Sequence, residues 1–233
     1  MHAIELDQIL LFGDSLTQLA DAYVRKLDVV NRGFSGYNTD WCRLLLPSVL
    51  ATIRPTPRVR IRLVTVLLGA NDAADARYRA NLDAMLALLR AELPDARVVL
   101  ITPPPVHNSR AREMSDSRSA ERTTALVAPY RAACFALAAA HGVQCLDTWD
   151  LFLGPGFDVN DIPALEQRLD PILEDGVHFG AAGNSALFEG LVRLIKREGP
   201  ELDHETMPQP VEFWNLVDPA RADETIFAHA RRD

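Results

Sequence analysis

The sequence predicts a three-layer α/β/α sandwich built on a parallel sheet of about five strands. Short, almost continuously apolar segments alternate along the chain with longer segments that have helical apolar spacing. Strands that are apolar on both faces are typical of parallel sheets covered by helices. With 233 residues, 48% of them hydrophobic, the chain is long enough to bury a single core without disulfide or metal cross-links.

The predicted strands are aliphatic runs that end at glycine, proline or polar residues. The third is the strongest, because it is almost entirely β-branched or aliphatic. The first ends at Gly13, and the fourth stops at the three prolines that begin with Pro103. The five strands are expected at residues 9–12, 28–31, 60–68, 97–102 and 143–146.

The predicted helices have clear stop signals. One ends before Pro55 and another at Pro94, since proline cannot continue a helix. A long alanine-rich helix closes at His141 and Gly142, and glycine is the preferred residue after a helix end. These helices are expected at residues 20–27, 41–53, 80–93, 124–140 and 182–196.

The C-terminal residues 200–233 differ from the rest of the chain. They contain four prolines, with Phe213 and Trp214 between them. Aromatic side chains in such a segment predict that it packs on the preceding domain, residues 1–199, or on a partner subunit; a loosely packed extension is the alternative. A homo-oligomer is therefore left open.

Charge and cysteine usage narrow the class of protein. The net charge of −8 argues against a nucleic-acid partner, because such binding depends on Lys and Arg meeting phosphate. Cys42, Cys134 and Cys145 form no CxxC pair and are expected to be free thiols in a reducing compartment. No run approaches the ~18 apolar residues of a membrane span, and the first residues lack a signal-peptide pattern. A cytoplasmic protein with a small-molecule substrate and no membrane span is expected.

Unusual residues follow the first three strands. Ser15 lies in a Gly-Asp-Ser turn after strand one, Gly36 follows strand two, and Asn71 follows strand three. Parallel α/β sheets bind ligands at the carboxyl ends of their strands, so these residues are expected at one edge. Each alone has an ordinary alternative: a capping serine, a turn glycine and an Asx turn.

Asp175 and His178 form a second chemical feature before the last predicted helix. A spacing of three places both side chains on one face of a helical turn, within reach of each other. A nucleophilic serine needs a base, and the base needs a partner that orients it. The chain supplies these types in the order Ser, Asp, His, although a capping aspartate beside an incidental histidine is the simpler alternative for this pair alone.

Together the four segments resemble the GDSL, or SGNH, family of serine hydrolases over about residues 8–197. They are GDSLT with Ser15, NRGFSGYNT with Gly36, GAND with Asn71, and DGVH with Asp175 and His178. The chain is most similar to the isoamyl acetate-hydrolysing esterases, through NRGFSGYNT followed by a tryptophan, LLGANDA and DGVHF. The resemblance implies a flavodoxin-like SGNH hydrolase domain over residues 1–199.

The resemblance also implies roles. Ser15 would be the nucleophile, His178 the general base and then acid, and Asp175 the residue that orients His178. The backbone N–H groups of Ser15 and Gly36 and the Asn71 side chain would form the oxyanion hole. Substrate-binding candidates are Asp14, Leu16 and, in the loop after strand four, His107. No metal or cofactor is implied.

The expected activity is hydrolysis of small carboxylic esters with short acyl chains such as acetate. A carbohydrate deacetylase, a thioesterase or lysophospholipase, and a non-catalytic scaffold are the alternatives. The chain departs from close relatives at residues 18–22, where they usually carry a longer stretch, and the shorter segment should open the pocket. Residues 107–123 are polar and are expected to arch over the strand ends as a rim.

Overall fold

A five-stranded parallel sheet forms the centre of the protein. The computed structural model describes residues 6–13, 22–53, 59–72, 77–114, 122–211 and 215–225. The strand order is β2-β1-β3-β4-β5, with every neighbouring pair parallel. The predicted parallel sheet of about five strands is therefore confirmed. The strands are β1 (Gln8–Gly13), β2 (Asp28–Gly33), β3 (Ile61–Leu67), β4 (Arg97–Ile101) and β5 (Gln144–Leu146).

Helices connect the strands and cover both faces of the sheet. They are α1 (Thr39–Ile53), α2 (Tyr78–Glu92), α3 (Asn108–Met114), α4 (Thr124–His141), α5 (Thr148–Leu153), α6 (Ile162–Leu169), α7 (Ala181–Glu198) and the short α8 (Ala222–Thr225). Within the described part of the chain, none of them is long and apolar enough to cross a membrane.

Two hydrophobic cores lie on opposite faces of the sheet, because successive strand residues point to opposite sides. Leu10 and Phe12 of β1 pack with helices α1, α2 and α4. Ile9 and Leu11 of the same strand pack with α5, α6 and α7. This division produces the predicted three layers and explains why the strands are apolar at nearly every position.

In the described part of the chain, four short helices, α3, α5, α6 and α8, were not among the predicted elements. Helices α5 and α6 begin at aspartate caps, Asp147 and Asp161, whose side chains accept backbone N–H groups. Their apolar runs are only a few residues long, so helical periodicity is hard to recognise. Helix α3 lies inside the predicted polar rim, which is thus partly helical.

The predicted helix at 20–27 is wrong from Tyr23 onward, although Ala22 is helical. From Tyr23 the chain forms a turn, in which the N–H groups of Lys26 and Leu27 both donate to the Tyr23 carbonyl. Residues 20 and 21 lie outside the described residues, as does most of the short 18–22 segment.

The first part of the C-terminal extension contacts the rest of the molecule. Leu202 is buried in the second core, and its carbonyl accepts a 2.7 Å hydrogen bond from Tyr23 Oη. Glu201 pairs with Arg97 at the start of β4. Phe213 and Trp214 lie outside the described residues, and the division of the chain at residue 199 stays a prediction.

Candidate active site

Strand β1 lies between β2 and β3. From β1 the chain first adds β2 on one side of it and then crosses over to add β3 on the other side, so the direction of winding reverses at β1. In such sheets the crevice beyond the strand ends at this reversal is the usual ligand site. Gly13 ends β1, and a Cβ on it would lie 2.2 Å from the Leu67 carbonyl oxygen. Only glycine fits there. Ser15 follows two positions later and, with Asp14 and Leu16, lies outside the described residues.

Gly36 occupies a tight turn just beyond β2. The Tyr37 N–H donates to the Phe34 carbonyl at 3.1 Å, which closes a four-residue turn. Gly36 has a φ of +79°, as the third residue of a type II turn requires. A Cβ on Gly36 would meet no atom within 4 Å among its surroundings. Backbone conformation rather than space therefore explains this glycine, and the residue lies exposed at the sheet edge.

Asn71 follows β3 and reaches across to the Gly36 turn. Its Nδ2 donates to the Tyr37 carbonyl at 3.1 Å, and its Oδ1 accepts from Arg122 Nη2 at 2.9 Å. Gly36 and Asn71 thus lie at one edge of the sheet, as predicted, and the Tyr37 carbonyl links their loops. One Nδ2 hydrogen has no acceptor among the described residues.

The buried side chain of Asp72 connects the same two loops through hydrogen bonds. It is 3% exposed, and its Oδ1 accepts from the Thr39 backbone N–H at 3.0 Å and from the Thr39 hydroxyl. Asn81 donates to the Thr39 hydroxyl at 3.3 Å. Since Thr39 begins α1, this network ties the start of that helix to the loop that carries Asn71.

Asp175 and His178 are in direct contact, as their spacing predicts. His178 Nδ1–H donates to Asp175 Oδ2 at 2.6 Å. The other carboxylate oxygen accepts from the backbone N–H groups of Val177 at 3.0 Å and His178 at 2.8 Å. A carboxylate only accepts, so the hydrogen sits on Nδ1 and the Nε2 lone pair is left for another donor.

The backbone of this segment is a closed loop rather than the helical turn that the spacing suggested. Leu173 and Phe179 form an antiparallel bridge, and the Glu174 N–H donates to the His178 carbonyl at 2.9 Å. Asp175 closes the loop from inside through its side chain. The prediction of contact was correct, and the local geometry assumed for it was not.

The carboxyl group of Asp175 is held ionised. Partial burial, the largest single effect, favours the protonated form. The hydrogen bonds from the His178 backbone, its side chain and the Val177 N–H together outweigh it and lower the pKa of Asp175 to about 2. The His178 side chain is 60% exposed, so a small molecule could approach its Nε2 atom.

Gly176 docks this loop on the segment after β4. Its carbonyl accepts from the His107 N–H at 3.0 Å. Gly176 has a φ of +93°, and a Cβ there would lie 2.5 Å from the Ala111 nitrogen. The Asp175 and His178 loop is therefore positioned by backbone contact with the start of α3.

His107, a predicted substrate-binding residue, is buried in this docking region. Its Nε2 lies 3.2 Å from Asp170 Oδ1, and the Arg110 N–H donates to its Nδ1 at 3.4 Å. These partners favour a structural role for the ring. Contact between His107 and substrate stays a prediction.

An aromatic row leads away from the Gly36 turn. Phe34, Tyr37 and Trp41 contact one another in sequence, with ring centroids 5.4 Å apart at each step; the first pair is tilted and the second is edge-on. Trp41 is 54% exposed and nearby Leu44 on the same helix is 67% exposed. An apolar surface thus begins at the residue whose carbonyl binds Asn71.

The sequence analysis missed several residues that shape this site. Tyr37, Asp72 and Arg122 act through contacts that join residues more than thirty positions apart, which no local pattern reveals. The glycine at position 176 had a signal, since it stands inside DGVH, but its packing on α3 requires the folded chain.

The family and the sequence relatives of the chain give the class of the protein: it is a hydrolase of carboxylic esters. The chain belongs to the GDSL-like Lipase/Acylhydrolase family, whose sequence model matches residues 11–186.

Known esterases are similar to this protein over most of the length of the chain. It is 34% identical to the human isoamyl acetate-hydrolyzing esterase 1 homolog, over 94% of this chain and 91% of that protein. It is 26% identical to the isoamyl acetate-hydrolyzing esterase of Saccharomyces cerevisiae, over 92% and 96%. Among solved structures, a lipase/acylhydrolase from Enterococcus faecalis superimposes with a TM-score of 0.60 at 25% identity, over 82% and 96% of the two chains.

The alignment to the human relative is longer than this chain: it extends over 245 residues, against the 233 residues of the chain. The relative therefore carries residues that this chain lacks, as expected from the shortened 18–22 segment. That the difference falls at this segment stays a prediction.

Proposed function

We propose that the protein is a serine esterase that cleaves small carboxylic esters through an acyl-enzyme, with Ser15, His178 and Asp175 as its triad. The observation that carries the proposal is the 2.6 Å contact between Asp175 and His178 Nδ1. That contact leaves the Nε2 atom of His178 to act as the base, and the His178 side chain is 60% exposed. Ser15 is assigned as the nucleophile from its position in the sequence, two residues beyond Gly13 at the end of β1.

The proposed reaction has two halves, formation of the acyl-enzyme and its hydrolysis. Ser15 Oγ attacks the ester carbonyl carbon while its proton passes to His178 Nε2, and the carbonyl oxygen becomes an oxyanion. The intermediate collapses, the bond to the alcohol oxygen breaks, and that oxygen takes the proton from Nε2. Water then attacks the acyl-enzyme, giving its proton to Nε2, and the second collapse returns that proton to Ser15.

The oxyanion would be stabilised by the backbone N–H groups of Ser15 and Gly36 and by Asn71 Nδ2. Preorganised donors of this kind stabilise the charge that develops in the transition state. The second Nδ2 hydrogen of Asn71 and the exposed backbone of Gly36 support this assignment. Asp175, ionised near neutral pH because of its low pKa, would stabilise the imidazolium that forms between the two halves.

Short acyl chains, such as acetate, are the proposed substrates. The name of the yeast relative states hydrolysis of isoamyl acetate, an ester of a small acid with an apolar alcohol. The apolar surface of Tyr37, Trp41 and Leu44 beside the Gly36 turn supports an apolar alcohol group. A cytoplasmic location is proposed as well, since Cys42, Cys134 and Cys145 are all free thiols.

The test combines a variant with a substrate series. Ser15→Ala should lower kcat for p-nitrophenyl acetate by several powers of ten, whereas Ser48→Ala, on the exposed side of α1, should leave it unchanged. Esters with acyl chains of two to twelve carbons then locate the preference, and we expect the highest kcat/KM at the two-carbon end. An optimum at long chains would favour a lysophospholipase or thioesterase. A folded Ser15→Ala variant with most of its activity would refute the triad.

A further inference from the structure

Arg122 holds Asn71 from the side opposite the Gly36 turn. Its Nη2 donates to Asn71 Oδ1 at 2.9 Å, and its Nε donates to the neighbouring Ala70 carbonyl at 3.1 Å. One guanidinium thus grips both the side chain and the backbone of the loop after β3. The distance along the chain, 51 residues, makes this a purely tertiary contact.

The arginine is itself well anchored. The next residue, Thr123, is the N-cap of α4, and its side chain accepts the Leu126 N–H. The backbone that carries Arg122 is thereby fixed at the start of an eighteen-residue helix. The guanidinium reaches Asn71 from a rigid base.

Two opposite partners determine which way the Asn71 amide points. Arginine can only donate hydrogen bonds and a backbone carbonyl can only accept them. Arg122 therefore requires Oδ1 on its own side, and the Tyr37 carbonyl requires Nδ2 on the other. A flipped amide would face the Arg122 donor with its NH₂ group and the Tyr37 carbonyl with its oxygen, so both contacts would become repulsive.

We infer that Arg122 is a positioning residue for catalysis, which fixes the Asn71 amide with its free N–H toward the oxyanion. The inference rests on the proposed oxyanion role of Asn71. A charged donor at Oδ1 also polarises the amide, and hydrogen-bonded chains strengthen one another. The guanidinium thereby makes Nδ2 a better donor when negative charge develops on the substrate.

The test is a double-mutant cycle between Arg122 and Asn71. Removing an oxyanion donor costs ~10²–10³-fold in kcat, which is the expected loss for Asn71→Ala. Arg122→Gln should lower kcat by about 10-fold with little change in KM, since the amide is kept but no longer held by the cation. In the Asn71→Ala background, Arg122→Gln should change kcat by less than about twofold.

A matched control measures the cost of losing any arginine from this region. Arg131, on α4, donates to the carboxylates of Asp147 and Asp150 and does not contact Asn71. Arg131→Gln should lower the melting temperature and leave kcat unchanged. Arg122→Lys keeps the charge with one donor site, and it should lose less kcat than Arg122→Gln, which gives a second variant if the glutamine form folds poorly.

The outcomes separate this inference from the function on which it rests. If Arg122→Gln lowers kcat equally with and without Asn71, the arginine acts only on the fold, and the inference is overturned while the esterase proposal stands. A wild-type kcat in Arg122→Gln overturns it as well. A wild-type kcat in Asn71→Ala removes the oxyanion role itself, and with it the reason for an Arg122 effect.

Discussion

Substitution of Gly176 by alanine should disable the site without touching a reacting group. Gly176 stands between Asp175 and His178 with a φ of +93°, and an added Cβ would lie 2.5 Å from the Ala111 nitrogen and 2.7 Å from the His107 oxygen. Ordinary contact begins near 3.4 Å, so the loop and α3 must separate by about 0.9 Å. A misplacement of ~1 Å can cost ~10²-fold in rate.

The positive φ adds a second cost, on stability. An alanine in the left-handed conformation lowers the free energy of unfolding by roughly 1–2 kcal/mol relative to glycine. Gly142, after α4, offers the matched control, because its φ is +62° and a Cβ there would meet nothing within 4 Å. Gly142→Ala should show the conformational cost alone, as a lower melting temperature with an unchanged kcat.

The assay is kcat and KM for p-nitrophenyl acetate, with thermal unfolding of each variant alongside. We expect Gly176→Ala to lower kcat by about 10- to 100-fold, and Gly142→Ala to leave it within about twofold. If Gly176→Ala keeps the wild-type kcat while both variants lose similar stability, the docking of the loop on α3 does not position His178, and the reasoning fails.

Three further predictions concern titration, burial and thiol reactivity. The pKa of Asp175 is depressed to about 2, so the stability that this carboxylate adds to the folded state is complete above its unfolded pKa of ~3.9 and is lost as the pH falls toward 2; the free energy of unfolding of wild type and Asp175→Asn should therefore converge at low pH, and an equal pH dependence of both would contradict the Asp175 contacts. Asp72→Ala should lower the free energy of unfolding by ~1–3 kcal/mol, because the buried donors of Thr39 lose their acceptor, and a denaturation midpoint equal to wild type would oppose this. Burial raises the pKa of the Cys134 thiol to about 11, so dithiobis(nitrobenzoate) should modify it only as fast as the protein unfolds, and immediate reaction in native buffer would argue against the described core.

The sheet and the region of the site were predictable from sequence for a physical reason. A parallel strand covered on both faces must be apolar at nearly every position, and strands β1, β3 and β4 are. Once the strands were located, the edge rule put Gly36 and Asn71 at the same edge of the sheet, and in the structure the Tyr37 carbonyl joins their loops. The contact between Asp175 and His178 followed from residue type and spacing.

Other features could not be read from local patterns. Arg122 stood in a polar stretch that favoured a surface rim, and only the folded chain brings it to Asn71. Gly13 and Gly176 owe their identity to backbone atoms of distant segments. The short helices α5 and α6 depend on single aspartate caps and on tertiary packing, of α5 against α7 and of α6 against α5, so their periodicity is too brief to recognise.

The central claim is that Ser15 becomes a nucleophile through His178, and covalent labelling tests it most directly. A fluorophosphonate should modify the native enzyme with a stoichiometry of about one, and peptide mass spectrometry should locate the adduct on Ser15. Labelling should be abolished in Ser15→Ala and strongly slowed in His178→Ala, with both variants folded. An adduct on another serine, or an equal rate of Ser15 labelling without His178, would contradict the account.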